Sequence, residues 1–334
     1  MNFERRCAVA LWAGLAALVL LPAAQAQPQG SAADKYPQRP IRIVVPYPAG
    51  GGLDVISRVI GERLGRNLGQ PVVIDNKPGG GTILGADFVA KAAPDGYTLI
   101  MTTDATMTIN QHLYARLPYD PVKDFAPITQ VVVLNQLLLA SPSVPADNLK
   151  DLLAYAKGHP GQLNYASYGS GSQPHLAMEM LKVQTGANIV HVPYKGIPQA
   201  VPAVLSGEVQ LTFSGAASSL AFIRAGKLKA LAVGGKARMP LLPEVPTFTE
   251  LGFPDVPANA WFGLFAPAGT PREIVARLHD EVLRIVKDPE FVQKEVVAKS
   301  YDLVASTPEE FAAFLVTDSQ RNARAVKVSG AKAE

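Results

Sequence analysis

The chain has 334 residues, 48% of them hydrophobic; 31 Lys and Arg against 28 Asp and Glu leave a net charge of +3, and Cys7 is the single cysteine. Basic residues never form a run, which argues against a nucleic-acid surface, and one thiol near the start rules out disulfides, thiolate metal centres and a cysteine nucleophile in the remainder of the chain. A chain of this length buries about three quarters of its unfolded surface and commonly divides into two domains.

Residues 1–26 have the pattern of a cleaved secretory signal. Arg5 and Arg6 form a positive head, residues 8–21 an apolar run, and Ala24-Gln25-Ala26 a small-residue site for cleavage after Ala26. The run is about 14 residues long, short of the roughly 20 that a spanning helix needs. The mature protein is therefore expected in the periplasm.

From Tyr36 the sequence alternates. Residues 41–45 form a β-branched run that stops at Pro46-Tyr47-Pro48-Ala49-Gly50-Gly51-Gly52, after which Val55, Ile56, Val59, Ile60, Leu64 and Leu68 recur at helical spacing. The unit repeats as strand 72–74, loop Asn76-Lys77-Pro78-Gly79-Gly80-Gly81 and helix 83–92, with a third strand at 97–101. A second block comes next: an apolar stretch at 128–140, a helix at 146–157, a strand at 163–166, then the loop Gly169-Ser170-Gly171-Ser172 opening a helix through Met178 and Leu181. Strands at 189–192 and 209–213 flank a helix starting near Pro198, and 228–233 is another strand. The proline-dense segment 240–257 is expected to be irregular; 261–265 is a strand, 271–286 an amphipathic helix capped by Thr270, and 290–298 and 307–325 outer helices of mixed charge. Such alternation predicts parallel sheets with helices on their faces. Two α/β blocks predict two lobes, with a ligand cleft beyond the carboxyl ends of the strands.

Three glycine-rich loops each come after a strand and open a helix, so each exposes backbone N–H groups at a positive helix end. One such loop is as readily a plain turn; three on one edge favour a small anion. None ends in the Gly-Lys-Ser/Thr of a nucleotide loop, and Pro174 occupies the third-glycine position of a dinucleotide fingerprint. Catalytic signatures are absent: there is no Gly-x-Ser-x-Gly, no His-Glu-x-x-His, and no metal-ligand spacing among histidines 112, 159, 175, 191 and 279. His175 either faces the cleft or serves as a structural hydrogen-bonding group, and Lys195 either approaches a carboxylate or is solvated. Tyr47, Tyr168, Tyr194 and Trp261 sit at strand ends, where core packing competes with ligand stacking.

Six blocks in order carry a resemblance: the segment from Tyr36-Pro37 through Pro46–Asp54, Asn76-Lys77-Pro78-Gly79-Gly80-Gly81, Ala93-Pro94-Asp95-Gly96-Tyr97-Thr98, Val192-Pro193-Tyr194-Lys195-Gly196, residues 225–233, and residues 261–271. Together they closely resemble the Bug family, the periplasmic solute receptors of tripartite tricarboxylate transporters. The resemblance implies a type II periplasmic binding protein fold, α/β in class, with a ligand cleft between two lobes at 36–128 with 254–334 and at 129–253. It further implies no enzymatic activity, cofactor or metal, a monomer, membrane transporter components as partners, and a small carboxylate as ligand. It places the carboxylate on backbone groups of loops matching Tyr47, Ala49, Gly50 and Gly51 and Gly79, Gly80, Gly81 and Thr82. The second lobe contributes Ser170, Gly171, Ser172, His175, Tyr194 and Lys195, and Thr103 and Trp261 complete the expected set. Two positions depart from relatives: Ser214 where many have an acid, and Asp104 where a neutral polar residue is usual. Asp104 is expected either to meet the ligand or to cap the turn after the third strand. A secreted hydrolase acting on a small carboxylic ester or amide is the alternative function, and a structural envelope protein the third.

Overall fold

The computed structural model describes residues 36–194 and 197–332. The expected signal segment and Lys195 lie outside the described residues. In chain order the elements are β1 (Ile41–Val45), α1 (Gly52–Leu68), β2 (Val72–Asn76), α2 (Ile83–Ala90), β3 (Thr98–Thr103), a π-helical turn (Ala105–Ile109) continued by α3 (Asn110–Leu113), and β4 (Phe125–Ala140). Then come α4 (Leu149–Gly158), β5 (Leu163–Ser167), α5 (Gln173–Thr185), β6 (Ile189–Pro193), α6 (Ile197–Ser206), β7 (Leu211–Gly215), α7 (Ala216–Arg224) and β8 (Lys229–Val233). The last part holds β9 (Asn259–Pro267), α8 (Arg272–Val286), α9 (Pro289–Phe291), β10 (Tyr301–Leu303) and α10 (Pro308–Ser329).

β4 joins the two halves. As far as Asn135 it pairs with β9, and with β10 from Val132 to Leu134; from Gln136 onward it pairs with β7 and β8. The first lobe orders its strands β2-β1-β3-β9-β4 and the second β4-β7-β5-β6. The pairs β1–β2, β1–β3, β5–β6 and β5–β7 are parallel as the alternation predicts, but β4 meets all its partners antiparallel and β9 meets β3 antiparallel. The sheets are mixed because the strands that carry the chain between lobes enter each sheet against its direction. Side chains alternate across β4, with Leu138 and Ala140 in one core layer and Leu137 and Leu139 in the other.

Helix placement obeys the apolar spacing. Ile56, Ile60 and Leu64, four apart, are fully buried, and α1 stops where Gly69 takes a left-handed conformation. Two expectations need correction. Thr270 does not cap α8; its hydroxyl donates to the Pro267 carbonyl at 2.8 Å and closes the preceding turn, and α8 starts with no side-chain cap. The last helix is not an outer one. Phe311 of α10 is fully buried, and Ala325 and Val326 meet Leu176 and Met180 of α5 together with Ile109, so α10 bridges the lobes.

Candidate ligand-binding site

Because β1, β2 and β3 run parallel, the loops leaving them share one edge of the first sheet. Asp54, 2% exposed inside α1, organises the first loop. Its carboxylate accepts from the Gly50 N–H, Arg58 Nε and Asn76 Nδ2, each at 2.9 Å. Burial works to raise its pKa, yet these hydrogen bonds hold it below the usual aspartate range. Asn76 also donates to the Tyr47 carbonyl, and the Tyr47 hydroxyl meets Thr103 Oγ1 at 2.8 Å, so all three loops are cross-tied.

The second loop is unusual in its backbone. Gly79, Gly80, Gly81 and Thr82 have φ of 133°, 55°, 60° and 81° in succession. Glycine adopts such angles freely, but a β-branched residue does so only when its surroundings hold it there. Thr106 Oγ1 and Asn110 Nδ2 donate to Thr82 Oγ1, and Asn110 also donates to the Gly81 carbonyl. The π-helical turn thus exists to place Thr106 and Asn110 against this loop. Thr82 is the one residue of this loop that carries backbone strain, and buried side chains hold it there.

On the second lobe, the 168–172 loop is closed by Ser172, whose hydroxyl and N–H both donate to the Gly169 carbonyl. The Gly171 N–H donates to His175 Nδ1 at 2.9 Å. A Cβ on Gly171 would lie 2.1 Å from Leu113 Cδ2, so glycine here lets the second lobe's loop touch α3 of the first.

The helix starts divide into two groups. α1, α2, α5 and α7, which begin at the carboxyl ends of parallel strands, have no side-chain cap on their first turns. Of the helices that begin elsewhere, α4, α9 and α10 are capped by Asn148, Asp288 and Thr307, while α8 has no side-chain cap. At α2 the Ile83 and Leu84 N–H groups turn back to the Gly80 and Gly79 carbonyls; the first turns of α1, α5 and α7 present N–H groups with no side-chain acceptor, the arrangement that attracts an anion.

The expected residues fall unevenly on this frame. Ala49, Gly50, Gly51, Gly79, Gly80 and Gly81 are exposed at the loops, while Tyr47, Thr82 and Thr103 support them from beneath. Asp104 caps the π-helical turn, accepting from the Ala105 N–H at 3.0 Å, and is 4% exposed. Burial and the neighbouring Asp318 carboxylate push its pKa up to about 7. Tyr194 turns its hydroxyl to Glu208, and Ser214 shares a hydrogen bond with Ser218. Trp261 stands apart from the loops: it is 2% exposed in a core layer with Phe265 and Phe311, and its indole N–H donates to Asp318. Asp54, Asn76, Thr106 and Asn110 hold the loops in shape and are not among the site residues that the sequence reading expects. The Asp54–Arg58 spacing of four and the asparagine opening the second glycine loop are the signals that point to the first two. Among the described residues no cluster of three His, Asp or Glu could hold a metal, and no helix is long and apolar enough to cross a membrane.

Residues 56–330 match the family model for the tripartite tricarboxylate transporter family receptor. The chain belongs to this family. Among the receptor's relatives, BugT of Bordetella pertussis is 37% identical over 301 residues, covering 90% of this chain and 92% of BugT. R. palustris Rpa4515, solved with adipate, superposes with a TM-score of 0.82 at 33% identity over 89% of this chain and 99% of that one. MatC (Rpa3494) from Rhodopseudomonas palustris, solved with bound malate, gives a TM-score of 0.78 at 32% identity over 87% and 100% of the two chains. The expected periplasmic binding protein fold is the fold of this receptor.

Proposed function

We propose that this receptor closes its two lobes on a small mono- or dicarboxylate and delivers it, in the periplasm, to the membrane components of a tripartite tricarboxylate-type transporter. The observation that carries the reading is the set of uncapped helix starts at the strand ends, with the strained Gly79–Thr82 backbone among them. A carboxylate there would satisfy N–H groups that side chains satisfy at α4, α9 and α10. Relatives solved with adipate and malate support the same class of ligand. Cleavage after Ala26 and action as a monomer belong to the same proposal.

On this reading the chain changes lobes within β4, between Asn135 and Gln136, and again between β8 and β9, with hinge motion at both crossings. Closure then results from the ligand touching both lobes at once. Micromolar affinity, about 8 kcal/mol, is within reach of a few charge-assisted hydrogen bonds of roughly 1.5–3 kcal/mol each less the cost of association. The hydrolase alternative gains nothing from the Ser167–His191 contact of 2.6 Å, because Ser167 is fully buried and also donates to the Gly169 carbonyl. A thermal-shift screen of carboxylates against matched amides, alcohols, sugars and nucleotides tests the proposal. Stabilisation confined to acids supports it; a shift with a sugar or nucleotide and none with any acid overturns it.

A further inference from the structure

His191 and His175 form a parallel stack beneath the 168–172 loop. Their ring centroids are 4.1 Å apart at an interplanar angle of 4°, and the Tyr165 ring lies beside both, 4.9 Å from His191 and 6.5 Å from His175. Each imidazole is tied to the loop. His175 Nδ1 accepts from the Gly171 N–H at 2.9 Å, so that nitrogen bears no proton. His191 Nε2 lies 2.6 Å from Ser167 Oγ, and with the serine hydrogen directed to the Gly169 carbonyl, Nε2 is the donor. The His175 contact is that of a ring unprotonated at Nδ1; the His191 contact is one that either charge state makes. A proton added at Nδ1 of His175 would face the Gly171 N–H, donor against donor, and two stacked imidazolium rings repel at this separation.

The geometry points to the stacked His175 and His191 as a positioning pair that holds the 168–172 loop in its ligand-binding shape only while His175 Nδ1 is unprotonated. Several charged groups on elements packed against the stack pair with one another. Glu179 and Lys182 of α5 bridge at 2.7 Å, with the Tyr165 hydroxyl donating to Glu179. On α10, which packs on α5, Asp318 and Arg321 bridge at 2.5 Å. α6 carries no titratable side chain, Tyr194 after β6 donates to Glu208, and Lys195 lies outside the described residues. A proton taken up at His175 Nδ1 in acid releases the Gly171 bond and the loop with it. The consequence for affinity rests on the receptor reading; the consequence for the loop does not.

The test is therefore made on ligand-free protein. Hydrogen–deuterium exchange of peptides covering 168–176 is measured at about pH 5 and about pH 7.5, either side of the histidine range, and corrected for intrinsic exchange. The wild type is expected to lose protection in this loop at least tenfold at the lower pH, with the β1 strand unchanged. In H175N the amide oxygen keeps the acceptor at the Nδ1 position and cannot titrate, so protection should persist at both pH values. In H191F, which keeps a stacked ring without a charge, the acid-induced loss should shrink. A wild-type loop equally protected at both pH values, or an H175N variant that loses protection as the wild type does, overturns the inference. A parallel titration of wild type and H175N with adipate reads the affinity. If adipate binds equally well at both pH values while the loop opens, the loop is not part of the ligand's grip; if no acid binds at all, the receptor proposal fails while the loop result stands.

Discussion

The helix starts at the cleft edge and those elsewhere obey the same chemistry to opposite ends. At α10 the first turn is closed by a capping box, Thr307 accepting from the Glu310 N–H while Glu310 accepts from the Thr307 N–H. At α1 and α7 the capping position is glycine with φ of −74°, a conformation open to serine or aspartate at no steric cost. On the receptor reading, caps are withheld at α1 and α7 because the ligand's carboxylate takes their place; α8, which starts at Pro271 away from these loops, is uncapped for another reason. The π-helical turn is the exception at this edge, because Asp104 caps it and is itself buried beside Asp318.

The largest break in the comparison should come from Gly81→Val. It puts a β-branched side chain at φ of 60° with its Cβ 2.6 Å from the Tyr114 hydroxyl. Calorimetry should show at least a hundredfold weaker acid binding, about 2.7 kcal/mol, with a stability loss of about 2 kcal/mol from the strained backbone. Binding unchanged in a folded variant would reduce the loop to a turn.

Asp104 tests the exception. Its folded-state pKa near 7 lies above the unfolded value, so the folded state holds the proton more tightly and stability falls as pH rises from about 4 through 7. Linkage sets a ceiling of about 4 kcal/mol for a three-unit shift, and we expect about half of it after local relaxation. Asp104→Asn keeps the acceptor for the Ala105 N–H and removes the charge. Denaturation midpoints of this variant should lose that part of the pH dependence and exceed the wild type near pH 8. Unchanged pH dependence would mean that Asp104 is not the group responsible.

Gly215→Asp exchanges one kind of helix start for the other. A Cβ at Gly215 meets nothing within 4 Å. The new carboxylate should cap α7 and raise stability by about 0.5–1 kcal/mol while lowering acid affinity about tenfold, or 1.4 kcal/mol. Greater stability with full affinity would show that α7 does not face the ligand. Thr307→Ala makes the smallest change: it should cost about 1 kcal/mol in chemical denaturation and leave affinity untouched.

Strand and helix positions are legible from sequence because apolar spacing and glycine or proline stops act locally, as in α1 and its Gly69 end. Sheet direction is not legible, since only the return of the chain through β4 and β9 makes those strands antiparallel. Site residues divide likewise. The glycine loops announce themselves by composition, whereas Thr106 and Asn110 reach Thr82 from 24 and 28 residues away and give no local signal. At Trp261 the sequence leaves core packing and ligand stacking open, and what locates its ring is a partner, Asp318, 57 residues on in a helix expected to lie outside.

The most direct measurement is a crystal structure of the mature protein with the acid that gives the largest shift in the carboxylate screen. The account predicts carboxylate oxygens within about 3 Å of first-turn N–H groups at two or more of α1, α2, α5 and α7. A carboxylate held instead by Lys or Arg side chains, with those four helix starts facing only solvent, would contradict it.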